Sequence, residues 1–455
     1  MHTVLIANRG EIALRILRTC RELGLRTVAV YSSADEGAPV VTEADEAVRI
    51  GPGPARRSYN HIPAVIEAAR MTGADAIHPG YGFLSENPDF AEVCAAEGIT
   101  FVGPPPSVME LLGDKASARA AMVGAGLPLL PGSTGAVDDP DTARALAQDI
   151  GYPVIIKAVA GGGGRGMAVV RDPGAFDDAY RRTRAGAASV FGDGRVYVER
   201  YLDSARHVEI QVLCDAHGHG VHLGARDCSV QRRHQKLVEE TPAPGLSAED
   251  QRAVGEAAVR AVLSVGYVGA GTVEFLVDPA GAHYFMEVNC RLQVEHPVTE
   301  VVTGVDLVAE QLRIAMGEPL RLTQDAVRLD GVAVECRINA EDPARDFAPT
   351  PGLLDTVLLP GGPFVRVDTH VADGRRIPAD YDSLLAKVIT WGPDRDTALR
   401  RMDRALAETH VRGERVATTA SFLRDVLAEP DFRAGRHDTG LLDRMKERAL
   451  GGVRA

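Results

Sequence analysis

Gly271-Thr-Val-Glu274-Phe-Leu-Val-Asp-Pro-Ala-Gly-Ala-His-Tyr-Phe-Met-Glu287-Val-Asn289 places β-branched and aromatic residues on both sides of an Asp-Pro-Ala-Gly turn, so it reads as an antiparallel hairpin. If Pro279 to Ala282 form the loop, Glu274 faces Glu287, Phe275 faces Met286 and Val273 faces Val288. Asn289 lies two residues beyond Glu287, on the side of the strand that carries both carboxylates. Two directly opposed acids are destabilising unless something cationic lies between them. Glu274, Glu287 and Asn289 form an all-oxygen set, which suits Mg²⁺ or Mn²⁺ bridging phosphates. A solvated strand face or a glycoside-hydrolysing acid pair could use the same carboxylates. The segment upstream favours the metal.

That segment is Lys157-Ala-Val-Ala-Gly161-Gly-Gly-Gly-Arg165-Gly166-Met167. Gly161, Gly163 and Gly166 satisfy the spacing of a dinucleotide fingerprint, but a strand-like Met-Ala-Val-Val follows where a helix is required. A kinase-type loop also fails, because the Lys precedes the glycines and neither an HRD nor a DFG triplet occurs. A flexible linker is the plain alternative. Glycines between two apolar strands instead predict a side-chain-free tip whose backbone N–H groups close over nucleotide phosphates, with Lys157 as a point charge.

The surrounding chain is consistent with an enzyme of several domains. Its 455 residues correspond to about three domains of roughly 150. Hydrophobic residues are 45% and charged residues 25%, which is globular rather than disordered or membrane composition. A net charge of −13 disfavours nucleic acid as the main partner. The longest uncharged stretch, 120–137, is broken by Gly and Pro, so no membrane span is expected. No targeting peptide is read at the N-terminus, and the six cysteines show no metal or disulfide spacing, which points to the cytoplasm. Each cysteine reads as a small buried hydrophobe, Cys228 least securely because its surroundings are polar.

Strand-like and helix-like segments alternate from residue 3 to residue 103, predicting a Rossmann-like parallel sheet covered by helices. A compact α+β insert is expected over 151–203 and a mixed α/β cap after Pro319. The expected division is an N-terminal domain at 1–113, a nucleotide-binding core at 114–317 with a mobile lid at about 130–203, and a C-terminal domain at 318–455. Two further polar runs stand out. Arg226-Asp-Cys-Ser-Val-Gln231-Arg232-Arg233-His234-Gln235-Lys236 could be an RNA-binding patch, but its flanks are acidic and no aromatics interleave, so a solvated basic strand is its plain reading. In Arg291-Leu-Gln293-Val-Glu295-His296-Pro297, continuation of the hairpin strand would put Arg291, Gln293 and Glu295 on one face beside the metal. There they could bind an anion and take a proton, rather than form a plain salt bridge.

Glycine loop, preceding Lys and Glu…Glu-x-Asn hairpin together resemble the ATP-grasp ligases. Ile6-Ala-Asn-Arg-Gly-Glu-Ile-Ala, His78-Pro-Gly-Tyr-Gly-Phe-Leu-Ser-Glu-Asn, Asp227-Cys-Ser-Val-Gln-Arg-Arg-His-Gln-Lys, Arg291-Leu-Gln-Val-Glu-His-Pro-Val-Thr-Glu and Glu335-Cys-Arg-Ile-Asn-Ala-Glu-Asp resemble the biotin carboxylase family more narrowly. The resemblance implies that ATP converts bicarbonate to carboxyphosphate, which carboxylates biotin, the first half-reaction of an acyl-CoA carboxylase of fatty acid biosynthesis. It implies that Lys115, Lys157, Gly163 and Gly164 hold ATP phosphates. Glu199, Arg200, Tyr201, Leu202, His207, Gln231 and His234 take the adenosine, and Glu274, Glu287 and Asn289 hold two metal ions. It further implies Lys236, Arg291, Gln293 and Val294 around bicarbonate, Glu295 as base, Arg337 at the biotin enolate, and Tyr81 and Gly82 at the biotin ring. The alternatives are another ATP-grasp ligase, such as a carboxyaminoimidazole or carbamoyl-phosphate type, or a non-catalytic ATP-binding subunit. With no Ala-Met-Lys-Met biotinylation motif in the chain, the expected partners are a separate biotin carboxyl carrier protein and a carboxyltransferase, with the chain itself a homodimer.

Overall fold

The computed structural model describes residues 1–133, 135–160 and 166–452. Gly163 and Gly164, expected at the phosphates, lie outside the described residues. The N-terminal strands Thr3–Ile6, Arg26–Ser32, Glu46–Gly51, Ala76–His78 and Thr100–Phe101 form a parallel sheet in the order third, second, first, fourth, fifth. The helix Gly10–Glu22 forms because Ile12, Ile16, Leu17 and Cys20 recur at helical spacing and bury one stripe on that sheet. Glu46–Gly51, a half-exposed edge strand, is left out by the sequence reading because Glu46 and Arg49 interrupt its apolar residues.

A small unit follows. Strand Val154–Ala158 lies between Met167–Val170 and Val196–Arg200, and the helices Pro140–Ile150 and Phe176–Phe191 pack Ala143, Ala147, Phe176 and Tyr180 onto it. Strand Met167–Val170 is the Met-Ala-Val-Val read as strand-like after the glycines.

The third element is an antiparallel sheet of eight strands. Its order is His283–Asn289, Gly269–Val277, Arg206–Cys214, Gly220–Arg232, Gln235–Thr241, Val332–Asn339, Leu384–Gly392, Val365–Thr369. It runs without a break past residue 317, because Gln235–Thr241 pairs with Val332–Asn339 from Val238 opposite Cys336 to Thr241 opposite Ala333. Helix Ala248–Ser264, absent from the sequence reading, lies close on Gly220–Arg232 because Gly255 has no side chain: a Cβ there would come within 2.5 Å of the His222 ring.

Two expectations are corrected. Glu274 does face Glu287, but Phe275 faces Phe285 rather than Met286, because a bulge at Met286 shifts the register and Val277 pairs with His283. Residues 291–295 are not a strand: the hairpin strand ends at Asn289, and Glu295 is the residue that precedes the helix His296–Thr303. Phe275 is fully buried beneath the hairpin. We expect Phe275→Ala to cost about 3–5 kcal/mol by opening a cavity under the carboxylates, read as a lower denaturant midpoint. An unchanged midpoint would show that the hairpin does not depend on this core.

Candidate active site

The three sheets surround a cleft of about 1770 Å³. Every described residue singled out from the sequence as a site residue lines it. At its centre the Lys236 ammonium donates to Glu209 at 2.6 Å, Glu274 at 3.0 Å and Glu295 at 2.6 Å. Arg337 donates from Nε to Glu239 at 2.6 Å and from a terminal nitrogen to Glu295 at 2.9 Å. Burial alone would raise the Glu295 carboxyl, but Lys236, Arg337 and Arg226 outweigh it and hold the group well below the usual carboxylate range. Glu295 is therefore an anion flanked by two cations.

The hairpin carries the candidate metal set. Asn289 donates from Nδ2 to Glu274 at 2.9 Å, and His207 Nε2 lies 2.9 Å from the other Glu274 oxygen. Glu287 is pushed up by burial and then by Glu274, with Lys115 acting against them. A raised carboxyl directly opposite a second acid marks a place short of positive charge, and the oxygen donors fit a hard divalent cation. His207, Glu209 and Glu274 also cluster, but the Lys236 ammonium already bridges those two carboxylates.

Toward the glycine loop, Lys157 donates to Glu199 at 2.7 Å, and Arg119 pairs with the same carboxylate. The Glu199 side chain is thus turned to these cations, and the following Arg200, Tyr201 and Leu202 line the cleft beside it. Burial lowers the Lys115 ammonium. His207 Nδ1 lies 2.5 Å from Gln231 Nε2, which also donates to the Cys228 carbonyl at 2.7 Å. His234 has a left-handed backbone, φ 66°, at the turn between Gly220–Arg232 and Gln235–Thr241, where burial lowers its imidazole. The basic run is solvated only at its tip: Arg226 to Val230 are buried, whereas Arg233 and His234 are exposed.

On the other wall, Arg291 donates to Glu86 at 2.8 Å and to Asn289 at 3.3 Å. Gln293 is buried with Nε2 lacking a partner among the described residues. The Val294 carbonyl accepts from Lys387 at 2.9 Å. Tyr81 hydrogen-bonds Glu11, and Gly82 adjoins it with φ 68°. All six cysteines are buried, and burial raises the Cys228 thiol well above its ordinary value.

Sequence reasoning missed the groups that hold these residues in place. Glu209 is fully buried between Lys236 and Arg226, and Arg226 also donates to Gln211 at 2.8 Å and Thr299 at 2.9 Å. Its signal was present: His207, Glu209 and Gln211 alternate with Val208, Ile210 and Val212 along one strand. Arg119, Glu86 and Lys387 left no local signal, since each meets its partner from a distant element. Lys446 stands at the rim of the cleft.

A cleft lined by lysines and arginines, a paired-carboxylate hairpin and a strand-flanked glycine segment defines a nucleotide-dependent ligase of the ATP-grasp class. Residues 114–323 match the family model "Carbamoyl-phosphate synthase L chain, ATP binding domain". Residues 1–109 and 335–444 match those of the biotin carboxylase N-terminal and C-terminal domains. The chain is 53% identical over 444 residues to biotin carboxylase of Nostoc sp., covering 98% of this chain and 99% of the relative. It is 53% identical to that of Haemophilus influenzae over 96% of each. A crystal structure described as a biotin carboxylase-β-γ-ATP complex from Campylobacter jejuni superimposes with a TM-score of 0.94 at 45% identity, covering 97% of this chain and 98% of that one. The biotin carboxylase domain dimer of Hydrogenobacter thermophilus 2-oxoglutarate carboxylase, solved with MgADP, ADP and bicarbonate, gives 0.93 at 46% identity over 97% of each. The chain belongs to the biotin carboxylase family.

Lys236→Met would leave Glu209, Glu274 and Glu295 facing one another without their shared cation. We expect a stability loss of about 3–5 kcal/mol together with loss of bicarbonate-dependent ADP release. Retention of both would remove Lys236 from the centre of the site.

Proposed function

We propose that this chain uses ATP to activate bicarbonate and carboxylates biotin presented on a carrier, the first half-reaction of a biotin-dependent carboxylase. The observation that carries the residue assignments is Glu295, held between Lys236 at 2.6 Å and Arg337 at 2.9 Å in the cleft that also holds Lys115 and Lys157. Bicarbonate is an anion and a poor electrophile, so it needs cationic donors and activation. Lys236, Arg291, Gln293 and the Val294 N–H bind it, and the unpartnered Gln293 amide is a donor ready for such an oxygen. Glu295 takes the bicarbonate proton, because it is ionised and adjoins both cations that orient the substrate. Lys157 and Lys115 hold the nucleotide phosphates, with Arg200, Tyr201, Leu202, Gln231 and His234 at the adenosine end. Glu199 serves by keeping Lys157 charged rather than by touching the nucleotide with its carboxylate.

Glu274, Glu287 and Asn289 would hold Mg²⁺ or Mn²⁺, which supplies neutralising charge to the phosphates when bound. Arg337, always protonated, stabilises the negative oxygen that forms on the biotin ureido group as its nitrogen loses a proton. Tyr81 and Gly82 form the ring's wall. The three-part division at 113 and 317, a homodimeric assembly, separate biotin carrier and carboxyltransferase partners, and cytoplasmic residence complete the reading. Among the described residues no helix is long and apolar enough to cross a membrane.

ADP release measured with and without bicarbonate and free biotin tests the whole reading. Release should require bicarbonate and rise with biotin, and bicarbonate-independent release would point to another ATP-grasp ligase. The Glu274→Gln/Glu287→Gln protein is expected to lose Mg²⁺-dependent ATP cleavage. Arg337→Ala should lower biotin carboxylation by about 10²–10³-fold at unchanged KM for ATP. Full carboxylation by Arg337→Ala would refute its role at the ureido oxygen.

A further inference from the structure

Glu239 and Glu335 are direct register partners on the neighbouring antiparallel strands Gln235–Thr241 and Val332–Asn339. Neither is exposed, and neither lines the cleft. Side chains so opposed have Cβ atoms about 4.5–5.5 Å apart, and like charges there repel. Glu239 accepts one hydrogen bond at Oε1, from Arg337 Nε, within their ion pair, while its Oε2 and both oxygens of Glu335 have no hydrogen-bond partner among the described residues. A buried ionised carboxylate without donors is costly, whereas one proton placed between two facing acids removes the repulsion.

The cations around the pair are committed elsewhere. On the strand of Glu335, Arg337 is divided between Glu239 and Glu295. On Leu384–Gly392, Lys387 lies 3.0 Å from Glu11, 2.9 Å from the Val294 carbonyl and 3.9 Å from Asp368. On the strand of Glu239, Lys236 serves Glu209, Glu274 and Glu295. Gly220–Arg232 contributes Arg226, bound to Glu209, and the protonated Cys228 thiol. The covering helix begins at His296, which burial holds neutral with Lys387, Arg15 and Arg366 acting the same way. Cys336 points to the opposite face, into the core with Val334 and Ile338. Burial pushes Glu239 up to about 7 against Arg337, with Glu295 adding to the rise. Burial likewise raises Glu335 well above the usual range against Lys387, with Glu239 adding to it.

We propose that Glu239 and Glu335 hold one proton between them and act as positioning residues for Arg337, a role that rests on the assignment of Arg337 to the biotin wall. With one proton the pair carries one negative charge, so the guanidinium stays divided between Glu239 and Glu295 and keeps an edge toward the cleft. When the proton is lost to solvent, two charges draw Arg337 down onto the pair and away from Glu295.

Infrared spectroscopy of the full chain in D₂O tests this directly. At neutral pH the wild type should show a protonated-carboxyl carbonyl band that is missing from Glu335→Gln, where Arg337 holds Glu239 ionised, and kept in Glu239→Gln, where Glu335 has no donor. As pH rises the band should disappear in step with kcat for biotin carboxylation, while KM for ATP stays level. In Glu335→Gln that alkaline fall should move up by at least ~1 pH unit. Because the folded pair keeps a proton that an unfolded Glu releases, folding stability should decline as pH rises from the ordinary Glu value of about 4.3 to about 7. Glu335→Gln should flatten that decline. A band persisting in Glu335→Gln, or superimposable pH profiles, overturns the proposal. If neither variant folds, the wild-type titration decides alone: no protonated-carboxyl band titrating with kcat overturns it. The infrared and stability measurements need no turnover, so absence of biotin carboxylation would defeat the functional reading separately.

Discussion

Glu295 is the constraint on which the rest of the structure depends. A buried carboxylate demands positive partners, and here they arrive from separate elements: Lys236 from one central strand and Arg337 from the next, while the helix His296–Thr303 presents the acid itself. Each of those cations needs more than one anion to be stable in its place. Lys236 therefore requires Glu209 and Glu274, Arg337 requires Glu239, and Glu209 in turn requires Arg226. The ion-pair lattice that results spans the eight-stranded sheet from the hairpin of Glu274 and Glu287 to the strand Val332–Asn339. Its ion pairs cross the paired strands Gln235–Thr241 and Val332–Asn339, which join the chain on either side of residue 317 in one sheet.

Residues with chemistry of their own were legible in the sequence; residues that only support them were not. Lys157, the facing Glu274 and Glu287 and the run from Gln231 to Lys236, singled out by type and spacing, do gather on one cleft. Even so, the pairing of Glu274 with Glu287 was reached through a loop one residue too short. A bulge at Met286 sets the register beyond them, and nothing in the local pattern encodes that bulge. The run from Arg291 to Glu295 was read as strand because it follows one. The helix beginning at His296 with Pro297 in its first turn ends that extension, yet Arg291, Gln293, Val294 and Glu295 still line the cleft, while Leu292 turns into the core.

Glu209, Glu239 and Lys387 show why the remainder escaped. A charged residue in a strand reads as solvent-facing by default, and its burial depends on partners a long way off in the sequence. Lys387 meets Glu11 and Glu239 meets Arg337 only after the sheet has formed. The Glu199 carboxylate pairs with Lys157 and Arg119, a use likewise invisible without the fold.

The chain has only five lysines, Lys115, Lys157, Lys236, Lys387 and Lys446, among 50 basic residues. All except Lys387 line the cleft, and Lys387 supports its wall from below through the Val294 carbonyl. Arginine, which keeps its charge at any working pH and pairs bidentately, has taken over the exterior, and the ammonium group is confined to the reaction site. Primary-amine chemistry on this protein is thus almost entirely active-site chemistry, and a reagent that counts lysine side chains reports on the cleft.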